Sequence, residues 1–138
     1  MFKIVFKINL LILLLSTICN SEIVKIINVD GNKRISNQTI ILFSELKTGT
    51  DITEDDVNTS IKKLYDTNFF KEISTTFNNN VLKIIVTENP IIQSIEILGV
   101  KKKSYSEAIF AQLSMKEKSS YIESFVNRDL KRIRNFLK

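Results

Sequence analysis

The fold is decided by residues 53–86, TEDDVNTSIKKLYDTNFFKEISTTFNNNVLKIIV. Thr53 and Asp56 have the spacing of a capping box, and the acidic residues that follow Thr53 favour the positive end of a helix. Four apolar side chains then recur at helical spacing and predict one buried stripe: Val57, Ile61, Leu64 and Tyr65. The first half of this segment is therefore predicted to be a helix.

The second half predicts a β-hairpin. Apolar and polar side chains alternate over residues 71–77 and again over residues 81–86, a pattern typical of half-buried strands. Asn78 to Asn80 supply the turn that joins the two strands. Phe69 and Phe70 follow at the exit of the helix, directly before the hairpin.

A strand and a helix are predicted upstream of this segment. Residues 23–29 are rich in β-branched side chains and run into the turn signal Asp30-Gly31, so they predict a strand. Ser36 is placed to cap a helix, and Gly49 is expected to close that helix in the left-handed conformation. The unit is thus strand, helix, helix, strand, strand. We expect an α+β fold in which two helices cover a three-stranded mixed sheet.

The pattern then begins a second time. Residues 27–31, INVDG, return as residues 95–99, IEILG. Residues 91–98 predict a strand, and two helical patterns follow, the first with a capping box at Ser104 and Glu107. No second hairpin follows before Lys138, so the second unit is predicted to be incomplete. We interpret the chain as a fragment of a tandem array.

The N-terminus predicts a secretory signal peptide. Lys3 and Lys7 give a positive start, residues 8–18 are almost wholly apolar, and Cys19 opens a short run of small residues. An uncleaved membrane anchor is the alternative, although the apolar run is shorter than the roughly 20 residues of a spanning helix. The predicted division is a signal peptide at 1–21, a first unit at 22–90 and an incomplete second unit at 91–138. Export without a cysteine in the mature chain favours the periplasm.

Composition argues against an enzyme. The chain has no histidine, and its one cysteine lies in the predicted signal peptide. A cluster of carboxylates occurs at Asp51, Glu54, Asp55 and Asp56, but most of it falls in a first helical turn, where it stabilises the helix dipole. No catalytic residue, cofactor or metal site is therefore predicted.

Nucleic-acid binding is an alternative because the second unit has ten basic and five acidic residues, against eight and ten in the first. A KH-type domain would need a GxxG loop, and Gly31, Gly49 and Gly99 are too far apart to form one. Export also argues against this alternative. No nucleic-acid partner is predicted, and the basic stretch is interpreted as a solvated face or a patch for a membrane or partner.

Four stretches of the chain match a known domain pattern: IxVxGN at 27–32, KRIS at 33–36, LYDTNFFKEI at 64–73 and VTENPII at 86–92. On these residues the chain resembles a polypeptide-transport-associated (POTRA) domain of the outer-membrane protein assembly factors. Residues 93–138 are similar to the opening of a second POTRA domain.

The resemblance implies a periplasmic array at the outer membrane, followed by a C-terminal β-barrel that this chain lacks. Such an array receives unfolded outer-membrane protein precursors and binds accessory lipoproteins. Related secretion proteins and autotransporter-assembly proteins share the domain, as do membrane-anchored division proteins, and these are the alternatives.

The candidate binding site is an edge of the predicted sheet. If the first strand pairs in parallel with the third, the second strand is left at an edge, where another strand can be added. This edge strand comprises Lys71, Glu72, Ile73, Ser74, Thr75, Thr76 and Phe77. A proline at Ser74 or Thr76 is expected to remove an edge donor. Four other residues are interpreted as purely structural: Gly31, Leu64, Tyr65 and Phe69.

Overall fold

A computed structural model describes residues 22–138, so the predicted signal peptide lies outside the described residues. The elements are β1 (Glu22–Ile23), β2 (Ile26–Asp30), α1 (Asn37–Ser44), β3 (Asp51–Ile52), α2 (Glu54–Asp66), β4 (Phe70–Asn78), β5 (Val81–Glu88), α3 (Lys103–Phe110) and α4 (Glu123–Phe136). Within this part of the chain, no helix combines the length and apolar character needed to cross a membrane.

The main sheet has three strands in the order β2-β5-β4. β2 runs parallel to β5, and β4 runs antiparallel to it. The predicted mixed sheet is confirmed, and β4 lies at one edge. The hairpin turn uses Asn79 and Asn80, whose φ angles of 50° and 64° give the twist that a two-residue hairpin requires.

Helices α1 and α2 cover one face of this sheet, as predicted. Ile40 of α1 and Leu64 of α2 are fully buried, and Ile84 of the central strand is equally inaccessible. The capping box of α2 is confirmed, since the Asp56 N–H donates to Thr53 Oγ1 at 3.2 Å and the Thr53 N–H donates to Asp56 Oδ2 at 2.8 Å. Local capping and a shared core therefore fix α2 above the hairpin.

Helix α1 is shorter than predicted. It ends at Ser44, and Glu45, with φ 57°, closes it in the left-handed conformation. Gly49 also has a positive φ, 82°, but it lies beyond the helix end. The N–H of Gly49 instead donates to the Val24 carbonyl at 2.7 Å, within a turn that leads to β3. This tertiary hydrogen bond holds Gly49 in a later turn, so the glycine does not close α1 as the sequence predicts.

The predicted first strand is also divided. Val24 is fully buried, and its N–H donates to the Thr50 carbonyl at 3.1 Å, away from the main sheet. β1 therefore pairs with β3 in a separate two-stranded sheet, and only β2 joins the main sheet. Tyr65 departs from prediction as well, because its side chain is 41% exposed rather than buried.

The second unit contains the two predicted helices, α3 and α4, but residues 91–98 form no strand. In the first unit β2 depends on β5, and no counterpart of β5 occurs among residues 91–138. The predicted capping box of the second unit is wrong, because α3 begins after Lys102 without a side-chain cap. Leu130 on α4 remains 53% exposed, which fits the absence of a sheet beneath this helix in the described residues.

Candidate functional site: a free strand edge beside an apolar groove

The hairpin geometry determines which backbone groups of β4 face away from the sheet. Asn78 pairs with Val81 across a two-residue turn, so these two residues form the hydrogen-bonded pair that closes the hairpin. Bonded pairs alternate along an antiparallel ladder. Ser74 and Thr76 therefore bond to β5, while the backbone groups of three residues point outward: Ile73, Thr75 and Phe77. In agreement, the Ile73 N–H donates to Tyr65 Oη at 3.0 Å, outside the ladder.

This alternation of backbone directions corrects the expectation that a proline at Ser74 or Thr76 removes an edge donor. The side chains of Ser74 and Thr76 are exposed on the open face of the sheet, but their N–H groups lie in the sheet plane and point toward β5. Alternation in the sequence reports the side-chain face and not the in-plane direction of the backbone. The edge donors belong instead to the alternate residues Ile73, Thr75 and Phe77, whose side chains face the helices.

An apolar groove lies beside the outward residues. It has a volume of about 260 Å³ and is lined by Ile52, Thr53, Glu54, Val57, Thr75, Phe77 and Leu82. Thr75 and Phe77 thus contribute backbone groups to the edge and side chains to the groove. A strand added to β4 would place alternate side chains over this groove, because side chains on one face of a sheet stand side by side across strands.

The seven predicted edge residues lie on one strand but are not equivalent. The ladder shifts register between Phe70 and Glu72, so Lys71 is the extra residue of a β-bulge. Regular pairing resumes at Glu72 and continues to Asn78. The other sheet edge, β2, is shorter, with five residues against the nine of β4.

A carboxylate that the sequence did not single out holds the sheet to the loop before α1. Glu88 Oε1 accepts the N–H groups of Lys33, Arg34 and Ile35 at 2.8, 2.9 and 3.1 Å, and Oε2 lies 2.9 Å from Arg34 Nε. Burial raises the pKa of Glu88, but the three N–H donors and the Arg34 charge outweigh it and hold the pKa below its ordinary value. The only sequence signal was an acid at the end of an apolar strand.

The second unit has a similar clamp at Asp129, which is 1% exposed. Its carboxylate accepts from Ser114 Oγ at 2.6 Å and from the N–H groups of Ser114 and Met115 at 2.9 and 3.1 Å. Burial raises the pKa of Asp129, while these donors and the charge of Arg132 lower it further than burial raises it. Asp129 thereby fixes α4 to the loop after α3. For residues 22–138, no cluster of three or more His, Cys, Asp or Glu side chains is arranged to hold a metal ion.

Similar sequences are outer membrane protein assembly factors, although no family model matches the chain. The BamA protein of Neorickettsia risticii is 29% identical over 90 residues, which cover 65% of this chain and 12% of that protein. The BamA protein of Buchnera aphidicola is 28% identical over 119 residues, which cover 85% of this chain and 19% of that protein. The chain therefore spans only a small part of the length of these relatives.

Solved structures with the same fold come from cyanobacterial Omp85 proteins. The N-terminal domain of Omp85 from Thermosynechococcus elongatus superposes with a TM-score of 0.59 at 13% identity, covering 85% of this chain and 51% of that chain. POTRA domains 1–3 of the periplasmic domain of Omp85 from Anabaena give a TM-score of 0.53 at 13% identity, with the same two coverages. The sequence and fold comparisons agree, and the chain has the POTRA fold and is similar in sequence to the outer membrane protein assembly factor BamA.

Proposed function

We propose that this chain is a periplasmic receiving module of the outer-membrane protein assembly machinery, and that it binds unfolded β-barrel precursors by strand addition to β4. The observation that carries the proposal is the row of outward backbone groups on β4 beside an apolar groove. The two relatives are named as assembly factors, which favours assembly over secretion or cell division.

The chemistry of the edge suits such clients. Strands of outer-membrane barrels alternate apolar and polar side chains. When one of them pairs with β4, its backbone bonds to Thr75 and Phe77, and its apolar side chains on the helix-covered face lie over the groove. Backbone pairing tolerates many sequences, as a receptor for different precursors requires.

The direct test titrates the chain with a synthetic peptide in which valine and threonine alternate. Thr75→Pro removes one outward donor and should weaken binding roughly fivefold or more, because one intermolecular hydrogen bond is lost. Thr76→Val alters only a side chain on the open face and serves as the matched control, with unchanged affinity. Equal affinity for the wild type and a folded Thr75→Pro variant would overturn strand addition at this edge.

A change in the peptide tests the groove without any risk to folding of the chain. Replacing the valines, which occupy one face of the peptide, with glutamate places charges over the apolar groove and should abolish measurable binding. Replacing the threonines with serine leaves the apolar face intact and should have little effect. Similar losses from both replacements would contradict a role for the groove.

Docking of accessory lipoproteins, export by a cleaved signal peptide and attachment to the outer membrane through a C-terminal barrel belong to the same proposal. What supports them is the similarity to BamA and the sequence of residues 1–21. Sequencing of the N-terminus of the protein recovered from periplasm tests the export step, and a chain beginning at or near Glu22 is expected. Recovery of an intact Met1 would contradict cleavage.

A further inference from the structure

One of the outward donors of β4 already has a partner within the chain. The Ile73 N–H donates to Tyr65 Oη at 3.0 Å. Tyr65 lies near the end of α2, and its side chain is 41% exposed, so the hydroxyl reaches the strand edge from the solvent side of the helix. The edge therefore offers the donors of Thr75 and Phe77, while that of Ile73 is occupied.

The groove and the regular part of the β4–β5 ladder also end close to Ile73. The groove is lined by Thr75 and Phe77 but not by Ile73. On the far side of Ile73 the ladder shifts register between Phe70 and Glu72. A strand that continued past Thr75 would have to displace the tyrosine hydroxyl and would then meet an irregular edge that lies outside this apolar groove.

We propose that Tyr65 sets the register of an added strand, which pairs at Thr75 and Phe77 and stops before Ile73. This inference rests on the proposed strand addition and deepens it. Tyr65 acts as a positioning residue, since it blocks one backbone donor rather than binding the client itself. The occupant is an extended peptide whose apolar side chain lies over the groove.

The test compares wild type with Tyr65→Phe, which keeps the ring and removes only the hydroxyl. Amide hydrogen exchange is followed with and without the valine–threonine peptide. In the wild type the peptide should slow exchange at Thr75 and Phe77 and leave Ile73 unchanged. In Tyr65→Phe the Ile73 amide should exchange faster in the free chain and become protected when the peptide binds. Tyr105→Phe, an exposed tyrosine on α3, is the matched control and should behave as wild type.

The dependence of affinity on peptide length gives a second measurement, which would not differ between wild type and Tyr65→Phe if Tyr65 had only a structural role. Extending the peptide by one dipeptide toward Ile73 should raise affinity roughly fivefold in Tyr65→Phe, because one more backbone donor is available, and should not raise it in the wild type. Equal gains in both proteins, or peptide protection of Ile73 in the wild type, would overturn the role of Tyr65. Absence of protection at Thr75 and Phe77 in every variant would instead overturn the proposed function itself.

Discussion

At the scale of single residues, Glu88 holds together segments that are distant in sequence. Its carboxylate joins the end of β5 to three successive N–H groups before α1, and its side chain is only 6% exposed. Because the folded state lowers the pKa of Glu88, it contributes stability above its ordinary pKa of 4.5 and loses that contribution as pH falls through the folded value.

Glu88→Gln is therefore expected to lower the free energy of unfolding at neutral pH by about 1–3 kcal/mol, because charge-assisted bonds to the loop are lost. Its stability should also decline less steeply than that of the wild type below about pH 4.5. Urea denaturation across pH measures both effects, with the exposed Glu72→Gln as control. Parallel pH profiles for wild type and Glu88→Gln would contradict the carboxylate's role.

Two glycines with the same backbone conformation separate strain from steric overlap. Gly31 and Gly49 have φ angles of 85° and 82°, but a Cβ on Gly31 would overlap the carbonyl oxygen of Val86, whereas nothing lies within 4 Å of one on Gly49. Gly49→Ala should cost about 1–2 kcal/mol for the left-handed conformation. Gly31→Ala should cost ~2 kcal/mol more, as measured by chemical denaturation. Equal losses would show that the close approach to β5 is not maintained.

At the scale of elements, alternate residues of β4 direct their backbone groups either toward β5 or outward from the sheet edge. Ser74→Pro removes a backbone bond to β5, while Thr75→Pro leaves every backbone bond to β5 in place, so Ser74→Pro should be the less stable variant by about 1 kcal/mol or more. Thermal or urea denaturation of both variants checks the order. The reverse order would mean that Thr75, and not Ser74, forms the backbone bonds to β5.

The sequence predicted best those elements whose signals are local. The capping box at Thr53 forms as predicted, and the hairpin turn predicted at Asn78 to Asn80 forms at Asn79 and Asn80, with Asn78 in β4; both depend on neighbouring residues. The predicted end of α1 was wrong because a hydrogen bond to the Val24 carbonyl holds Gly49 in a later turn. The prediction of a strand at residues 91–98 was wrong because a strand needs a distant partner, which a local sequence pattern does not report.

The candidate site was only partly predictable for the same reason. The alternating pattern of residues 71–77 and the expected parallel pairing identified the edge strand. Neither indicates which N–H groups point outward, since this depends on the closing pair Asn78 and Val81. The hydroxyl contact between Tyr65 and Ile73 joins a helix to a strand, and the helical pattern had assigned Tyr65 to the core.

At the scale of the whole molecule, the second unit is joined to the first by backbone pairing at the junction. The Tyr121 N–H donates to the Pro90 carbonyl at 2.7 Å across the junction, and within the second unit the Ile92 N–H donates to the Ser119 carbonyl at 2.9 Å. Arg34 Nη2 donates to the Asn89 carbonyl at 2.9 Å, which ties the same linker to the loop held by Glu88. The edge of β4 thus begins next to this junction, with Phe70 and Tyr121 lining one cavity.

We propose that an extended client pairs with the edge of β4. Amide hydrogen exchange over residues 22–138, with and without a peptide from an outer-membrane barrel strand, tests it most directly. We predict new protection at Thr75 and Phe77 and none at Ser74 and Thr76, which are already bonded to β5. Protection confined to β2, or to the helices of the second unit, would contradict strand addition at β4.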